Sequence, residues 1–333
     1  MLQRRQFLRF ASSRYLSSDG YWLHVSRAAM ACRFEVTMPR REAAGVSVAN
    51  TALAIAGRVE DQLTVFRESS EVSYINRNAG YRSIRVEPSL WELLSWCREL
   101  HRDTDGAFDI ASAPLSRCWG FLRRQGRVPQ PFEIDEALSV VGYDRVRLDD
   151  HAQTIRFKRP GVELNFGSIG KGYALDRMGS VIRSRLQTAL LSAGSSSLLA
   201  IGAGDRLQGG WKLGIRQPSD KHKRIAVLRL RDCAMSTSGG EEQFFEYEGK
   251  RYGHIIDPRT GDPADGVASA TVIAPSAALT DALATAFYVA GVGLAERYCA
   301  SVPGVMAIIL ERGATQPIVV GGNDKCEVEI LSE

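Results

Sequence analysis

Four short clusters in the 333-residue chain carry residue types suited to phosphate or metal chemistry. The first is "NFGSIGKGYALD", from Asn165 to Asp176, with small residues and Lys171 just ahead of a helical pattern. Backbone N–H groups at the first turn of a helix have no partner within it, so such a loop suits an anion. Lys171 would add a mobile positive charge. A Walker A loop does not fit, because Gly167 stands only three residues before Gly170 and Gly172 follows Lys171 where Ser or Thr is needed. The alternative is a tight turn that carries a surface lysine.

The second cluster is "GHIIDPRTG", where His254 can serve as a base or hold a loop through hydrogen bonds. Arg259 in it can pair with a phosphate or with Asp257. In the third, "DALATA", Asp281 and Thr285 are four apart and share one helical face. A carboxylate and a hydroxyl there offer two hard oxygens to Mg²⁺; the alternative is that Thr280 or Asp281 simply caps the helix start. In the fourth, Phe108 and Asp109 follow Gly106. An aromatic ring and a carboxylate could hold a flavin or adenine ring, or be a core aromatic beside a turn-forming acid.

Bulk properties narrow the partners. A formal net charge of +4 with scattered basic residues makes no case for nucleic acid. No apolar run reaches the roughly 18 residues of a membrane span. Six cysteines without CxxC spacing signal neither a zinc site nor a redox motif and fit a reducing compartment. "RRQFLRF" near the start has the twin-arginine look of an export signal, but the polar "ASSRYLSSDGYW" follows it. A cytoplasmic protein is expected, with residues 1–21 as an N-terminal extension and 22–333 as one domain.

The elements that must position these clusters come from periodicity. Two strands with a turn at Ser26–Ala29 precede a long helix from Glu42. "YRSIRVEP" reads as a strand, then "SLWELLSWCRELHRDTDG" as a helix capped by Ser89. "FDIASAPLSRCWGF" reads as irregular, "IDEALSVVG" as a short helix, and "VRLDDHAQTIRFKRPGVELNF" as a hairpin. A helix follows the glycine-lysine loop, then a run of strands, a Gly/Pro/Asp-rich loop and the strand "VASATVIAPSA". One long helix, "LTDALATAFYVAGVGLAERY", leads to the last strand, "VMAIILE". Strands cluster without a strict βαβ rhythm, so the expected class is α+β, with helices packed around mixed sheets.

Taken in order, these segments resemble the ApbE family of FAD:protein FMN transferases, from about Trp22 to about Glu311. The resemblance rests on Met30-Ala31-Cys32, the block from Gly106 to Phe121, the glycine-lysine loop, Ala193-Gly194-Ser195, Ser238-Gly239, His254 to Gly261, and "DALATA" from Asp281. It implies an ApbE-like fold and transfer of the FMN half of FAD to a Ser or Thr hydroxyl of an unidentified acceptor protein, with release of AMP. The alternatives it leaves are an FAD pyrophosphatase and a flavin-binding protein without turnover.

The resemblance also implies roles. Asp281, Thr285 and Ser168 stand at metal-ligand positions for Mg²⁺, with Mn²⁺ not separable by spacing. Met30, Phe66, Ala107, Phe108, Asp109, Asn165, Lys171 and Ile255 stand at FAD-contact positions. Lys171 would neutralise diphosphate charge, His254 matches a suggested general base, and Asp257 would orient His254 or hold a water on the metal. Departures fall at Ala31, Cys32, Ser195, Gly253 and Ala284. Ser195 would be strained if its position needs positive φ. "DGVASAT", from Asp265, looks like an acceptor peptide, but a plain strand with a partly buried Thr271 is the expectation.

Overall fold

The computed structural model describes residues 22–204, 209–240 and 243–331, so the expected extension at 1–21 lies outside the described residues. In chain order the strands and helices are β1 (Trp22–Ala29), β2 (Cys32–Pro39), α1 (Val46–Leu63), α2 (Glu71–Asn78), β3 (Ile84–Arg85) and α3 (Pro88–Asp103). Next come α4 (Ala113–Cys118), α5 (Pro131–Leu138), β4 (Val146–Asp149), β5 (Thr154–Phe157), α6 (Gly170–Arg183), β6 (Ala189–Ala193) and β7 (Ser197–Ile201). After these follow β8 (Trp211–Gln217), β9 (Asp220–Leu230), β10 (Ala234–Gly239), β11 (Phe244–Tyr247), β12 (Lys250–Gly253) and β13 (Val267–Ala274). The last are α7 (Ala277–Ala290), α8 (Val292–Ser301), β14 (Met306–Glu311), β15 (Ile318–Gly321) and β16 (Cys326–Ile330).

An eight-stranded antiparallel sheet in the order β1-β2-β6-β7-β10-β13-β14-β15 is the frame. It takes strands from both sides of residue 160. Its two faces bury different side chains, because alternate residues of a strand point opposite ways. Ala270, Val272 and Ala274 of β13 join the main core with α1, α6 and α7, including Leu53, Leu175 and Phe287. Ile273, Met235, Met306 and Ile308 point the other way, onto Trp211, Ile215 and Leu228 of the three-stranded sheet β16-β9-β8. Two apolar layers therefore clamp the frame from both sides. A third cluster, Leu115, Trp119, Phe121 and Ile256, sits apart under the β11–β12 hairpin.

The mixed α+β class is as expected, and several boundaries differ. The first turn is Met30–Ala31, with φ of 50° and 57°, so β1 runs straight through Ser26–Ala29. A two-residue hairpin turn of type I′ needs positive φ at both positions, and this sequence lacks the Asn-Gly signal that would mark it. Glu87, not Ser89, caps α3: its carboxylate accepts from the N–H groups of Ser89 and Leu90. "YRSIRVEP" yields only the two-residue β3, and the aromatic-rich block contains α4. The expected single long helix breaks at Gly291, φ 74°, into α7 and α8. Strands β11, β12, β15 and β16 were not expected; β11, β15 and β16 are four- or five-residue pieces on sheet margins, too short for a clear period.

Candidate active site

The glycine-lysine loop is shaped by its own polar residues. Asn165 donates its N–H to the Ile110 carbonyl at 2.7 Å, and its Oδ1 accepts from Gly167 N–H at 2.8 Å. This side-chain turn aims the chain into α6, which begins at Gly170. The first-turn amides of α6 then need outside acceptors. Asp281 of α7 supplies one: its Oδ2 accepts from Gly172 N–H at 3.0 Å. Its Oδ1 accepts from the Ser197 hydroxyl of β7 at 3.0 Å. The carboxylate is 7% exposed and joins two helices and a strand.

That approach depends on Gly172. A Cβ there would lie 2.1 Å from the Ala277 carbonyl oxygen, so no other residue lets α6 meet the start of α7. One turn on, Asp176 accepts from the Ser276 hydroxyl and from the N–H groups of Ala277 and Ala278, at 2.7, 2.8 and 2.9 Å. It thereby satisfies the free amides that open α7. Burial pushes the Asp176 pKa up, and these hydrogen bonds only partly oppose it.

Beside this clasp, Lys171 Nζ donates to Ser196 Oγ at 2.7 Å. Thr285 donates to the Asp281 carbonyl and lies 3.3 Å from the Ser238 hydroxyl. Ser168 is half-buried, four residues ahead of Gly172. The donor set fits a hard divalent cation. Each Asp281 oxygen has accepted one bond and keeps a lone pair, and the hydroxyls of Thr285 and Ser238 add neutral oxygens. Among the described residues no three His, Cys, Asp or Glu gather as a metal cage. A single carboxylate suits Mg²⁺, which keeps waters and takes phosphate oxygens, and does not suit zinc.

The Gly106–Phe121 block has a different part from the one its residue types suggest. Phe108 is 1% exposed and Ala107 2%, so the Phe108 ring is core and offers no face for stacking. Asp109 is also turned inward. It accepts from Ala111 N–H at 2.6 Å and Tyr143 N–H at 2.9 Å, and lies 3.2 Å from His101 Nδ1. The block still reaches the site, because Ile110 holds Asn165.

Met30 lies at the hairpin turn against Gly170, where a Cβ would come within 2.9 Å of its Cε. Phe66 is 75% exposed and lines a cavity of about 120 Å³ with Arg117, Arg123 and Glu163. Ser195 avoids the anticipated strain, since positive φ falls on Gly194. Thr271 is 0% exposed and 2.8 Å from Thr237 Oγ1, which leaves the acceptor-like peptide a plain buried strand.

His254 follows β12, and Nδ1 lies 3.0 Å from the Gln243 carbonyl oxygen. A carbonyl only accepts, so Nδ1 carries the proton and a neutral ring has its lone pair on Nε2. The ring packs edge-on to Phe121. Asp257 is taken by Arg259, with side-chain bonds of 2.8 and 2.7 Å. The orienting part assigned to Asp257 therefore belongs to the Gln243 backbone. Ile255 is tied through its carbonyl to Ala264 N–H at 2.9 Å, and Trp119 Nε1 donates to the Gly261 carbonyl. A Cβ on Gly253, just before His254, would lie 3.7 Å from the Cα of Gly240, the residue after β10, which places the loop near Ser238 at the end of that strand.

Sequence reasoning missed Ser196, Ser197, Asp176 and Gln243. The "GSSS" run from Gly194 was a visible signal for the first two; nothing local marked the others.

The model of the ApbE family matches residues 30–310. An FAD:protein FMN transferase of Treponema pallidum is 32% identical over 299 residues, 84% of this chain and 81% of that protein. The crystal structure of the ApbE protein from Thermotoga maritima superposes with a TM-score of 0.81 at 29% identity, covering 91% of this chain and 97% of that one. The apo flavinyl transferase ApbE of Pseudomonas stutzeri gives a TM-score of 0.76 at 26% identity, covering 90% and 95%.

Proposed function

The chain belongs to the ApbE family, and on that premise we propose that it transfers the FMN moiety of FAD to a Ser or Thr hydroxyl of an acceptor protein, with Mg²⁺ and release of AMP. The observation that carries this reading is the Asp281 clasp on Gly172 and Ser197 beside Lys171. A carboxylate and an ammonium held side by side at a helix start suit a metal-bound diphosphate.

The chemistry is a displacement at the FMN-side phosphorus. The acceptor oxygen forms the new P–O bond, its proton passes to His254 Nε2, and the bond to the AMP phosphate oxygen breaks. Gln243 keeps the His254 ring in the tautomer that accepts this proton. Lys171 offsets negative charge on the diphosphate as the bond breaks. Asp281, Thr285 and Ser168 would hold Mg²⁺, which when bound supplies Lewis-acid polarisation of phosphate oxygens. Six dilute cysteines without CxxC spacing support a reducing compartment and the cytoplasm as the place of action.

The test is incubation with FAD, Mg²⁺ and a threonine peptide. Intact mass should show FMN on the peptide and one AMP released for each. FMN and AMP without modified peptide would make the protein a pyrophosphatase. Normal turnover in both Asp281→Ala and Lys171→Ala would remove the proposed site.

A further inference from the structure

Two consecutive residues, Ser196 and Ser197, each hold one charged group of the site. Ser196 Oγ accepts from Lys171 Nζ at 2.7 Å, and Ser197 Oγ donates to Asp281 Oδ1 at 3.0 Å. Both serines are buried. Their backbone is fixed from two sides. Ala193 pairs with Ser197 across the β6–β7 hairpin, and Gly194 in its turn donates its N–H to the Arg33 carbonyl of β2. Towards β10, the Ser196 carbonyl accepts from Thr237 N–H at 2.8 Å, and Ser197 pairs with Ser236. The two hydroxyls therefore spring from one well-held piece of backbone.

Lys171 and Asp281 attract each other and have the means to meet. Asp281 Oδ2 lies 3.0 Å from the N–H of Gly172, the residue after Lys171, so the flexible lysine stem can fold back onto the carboxylate. Lys171 is half-buried and Asp281 buried, where opposite charges attract more strongly than in water. Among the described residues the two nevertheless form no ion pair: the ammonium goes to Ser196, and the carboxylate to Gly172 and Ser197. A collapsed pair would engage the ammonium and neutralise the acid, and neither a diphosphate nor a cation would then meet a free charge.

We infer that Ser196 is a positioning residue that holds Lys171 apart from Asp281, and so keeps one charge for the diphosphate and the other for the metal. The inference rests on the transferase reading above. A hydroxyl suits this duty because it is neutral. It accepts one N–H of the ammonium without cancelling the charge, and the remaining N–H donors stay available to phosphate oxygens. A carboxylate at 196 would itself pair with Lys171, and an alanine would release the stem towards Asp281. Holding the stem in place also spends its rotamer freedom before FAD arrives, which lowers the cost of binding.

The experiment measures Mn²⁺ binding without FAD, by the electron paramagnetic resonance signal of the free ion, and FMN transfer to a threonine peptide. Ser196→Ala should weaken Mn²⁺ binding and raise the KM for FAD, each by about tenfold, with kcat little changed, because a Lys171–Asp281 pair must open before either ligand binds. Ser196→Thr keeps the hydroxyl and should stay within about twofold of the wild type. In a Lys171→Ala background, adding Ser196→Ala should leave Mn²⁺ affinity unchanged, since no ammonium remains to reach the acid. Equal loss of Mn²⁺ affinity in both backgrounds would overturn the inference and leave Ser196 a structural part of the hairpin. Wild-type Mn²⁺ affinity in Ser196→Ala would overturn it as well. With FMN transfer intact in the wild type, either result removes this inference alone. A wild type that modifies no peptide would overturn the transferase reading, and the Mn²⁺ comparison would still decide the part played by Ser196.

Discussion

The carboxylate of Asp281 accepts a hydrogen bond from the backbone N–H of Gly172, 3.0 Å away and 109 residues earlier in the chain. One bond therefore fixes the start of α6 against the middle of the first half of α7. It also brings the acid close to the chain segment that carries Lys171, because Lys171 and Gly172 are adjacent.

Removing that acid should separate its two duties. Asp281→Ala leaves the Gly172 amide and the Ser197 hydroxyl without their acceptor in a buried site, at a cost of about 1–3 kcal/mol. Asp281→Asn keeps one acceptor oxygen and should unfold later than the alanine variant. Both should lose FMN transfer by at least about a hundredfold. Urea unfolding and peptide modification, measured on the same samples, check the pair.

Gly172→Ala adds one methyl group where the Ala277 carbonyl oxygen would be 2.1 Å away. Overpacking against backbone cannot relax through a rotamer, so about 2–3 kcal/mol of stability should be lost. Lys171 would shift with α6, and the KM for FAD should rise. An alanine variant with wild-type Tm and KM would contradict the close approach.

Ala31→Gly should stabilise the protein. Ala31 sits at φ 57° and is exposed, and a left-handed residue with a Cβ costs about 1–2 kcal/mol. Part of the gain is returned as unfolded-chain entropy, which leaves about 0.5–1 kcal/mol. Thermal unfolding would show a rise in Tm, and no rise would mean that the Met30–Ala31 turn is relaxed as it stands.

His101 gives a pH signature. Burial of its ring works to lower its pKa; the hydrogen bond and charge of Asp109, the Phe108 carbonyl and Asp144 outweigh this, so the pKa is raised. Protonated His101 then contributes stability that is fully present below the unfolded value of about 6.5. It is lost as pH rises through the higher folded value. His101→Asn should flatten this part of the stability–pH profile while keeping a donor towards Asp109. Parallel wild-type and variant profiles would refute the assignment.

Sequence alone determined the main helices around the site and the residue types they carry. The period of "KGYALDRMGSVIRSRL" specifies a helix after the glycine-lysine loop, and the four-residue spacing of Asp281 and Thr285 puts both on one helical face. The ordered motifs identified the family, because each motif is a contiguous string. Local strings are silent on long-range partners, so only the folded chain decided which groups meet. Asp281 meets Gly172 because a glycine without a side chain lets two helices touch. Asp109 and Phe108 looked ready to hold a ring, but the turn after α3 faces the core, and packing took both. Asp257 pairs with Arg259, two residues along its own loop, and the Gln243 carbonyl holds His254 Nδ1. Polar side chains go to the nearest partner that burial leaves them, and that partner is a property of the tertiary fold.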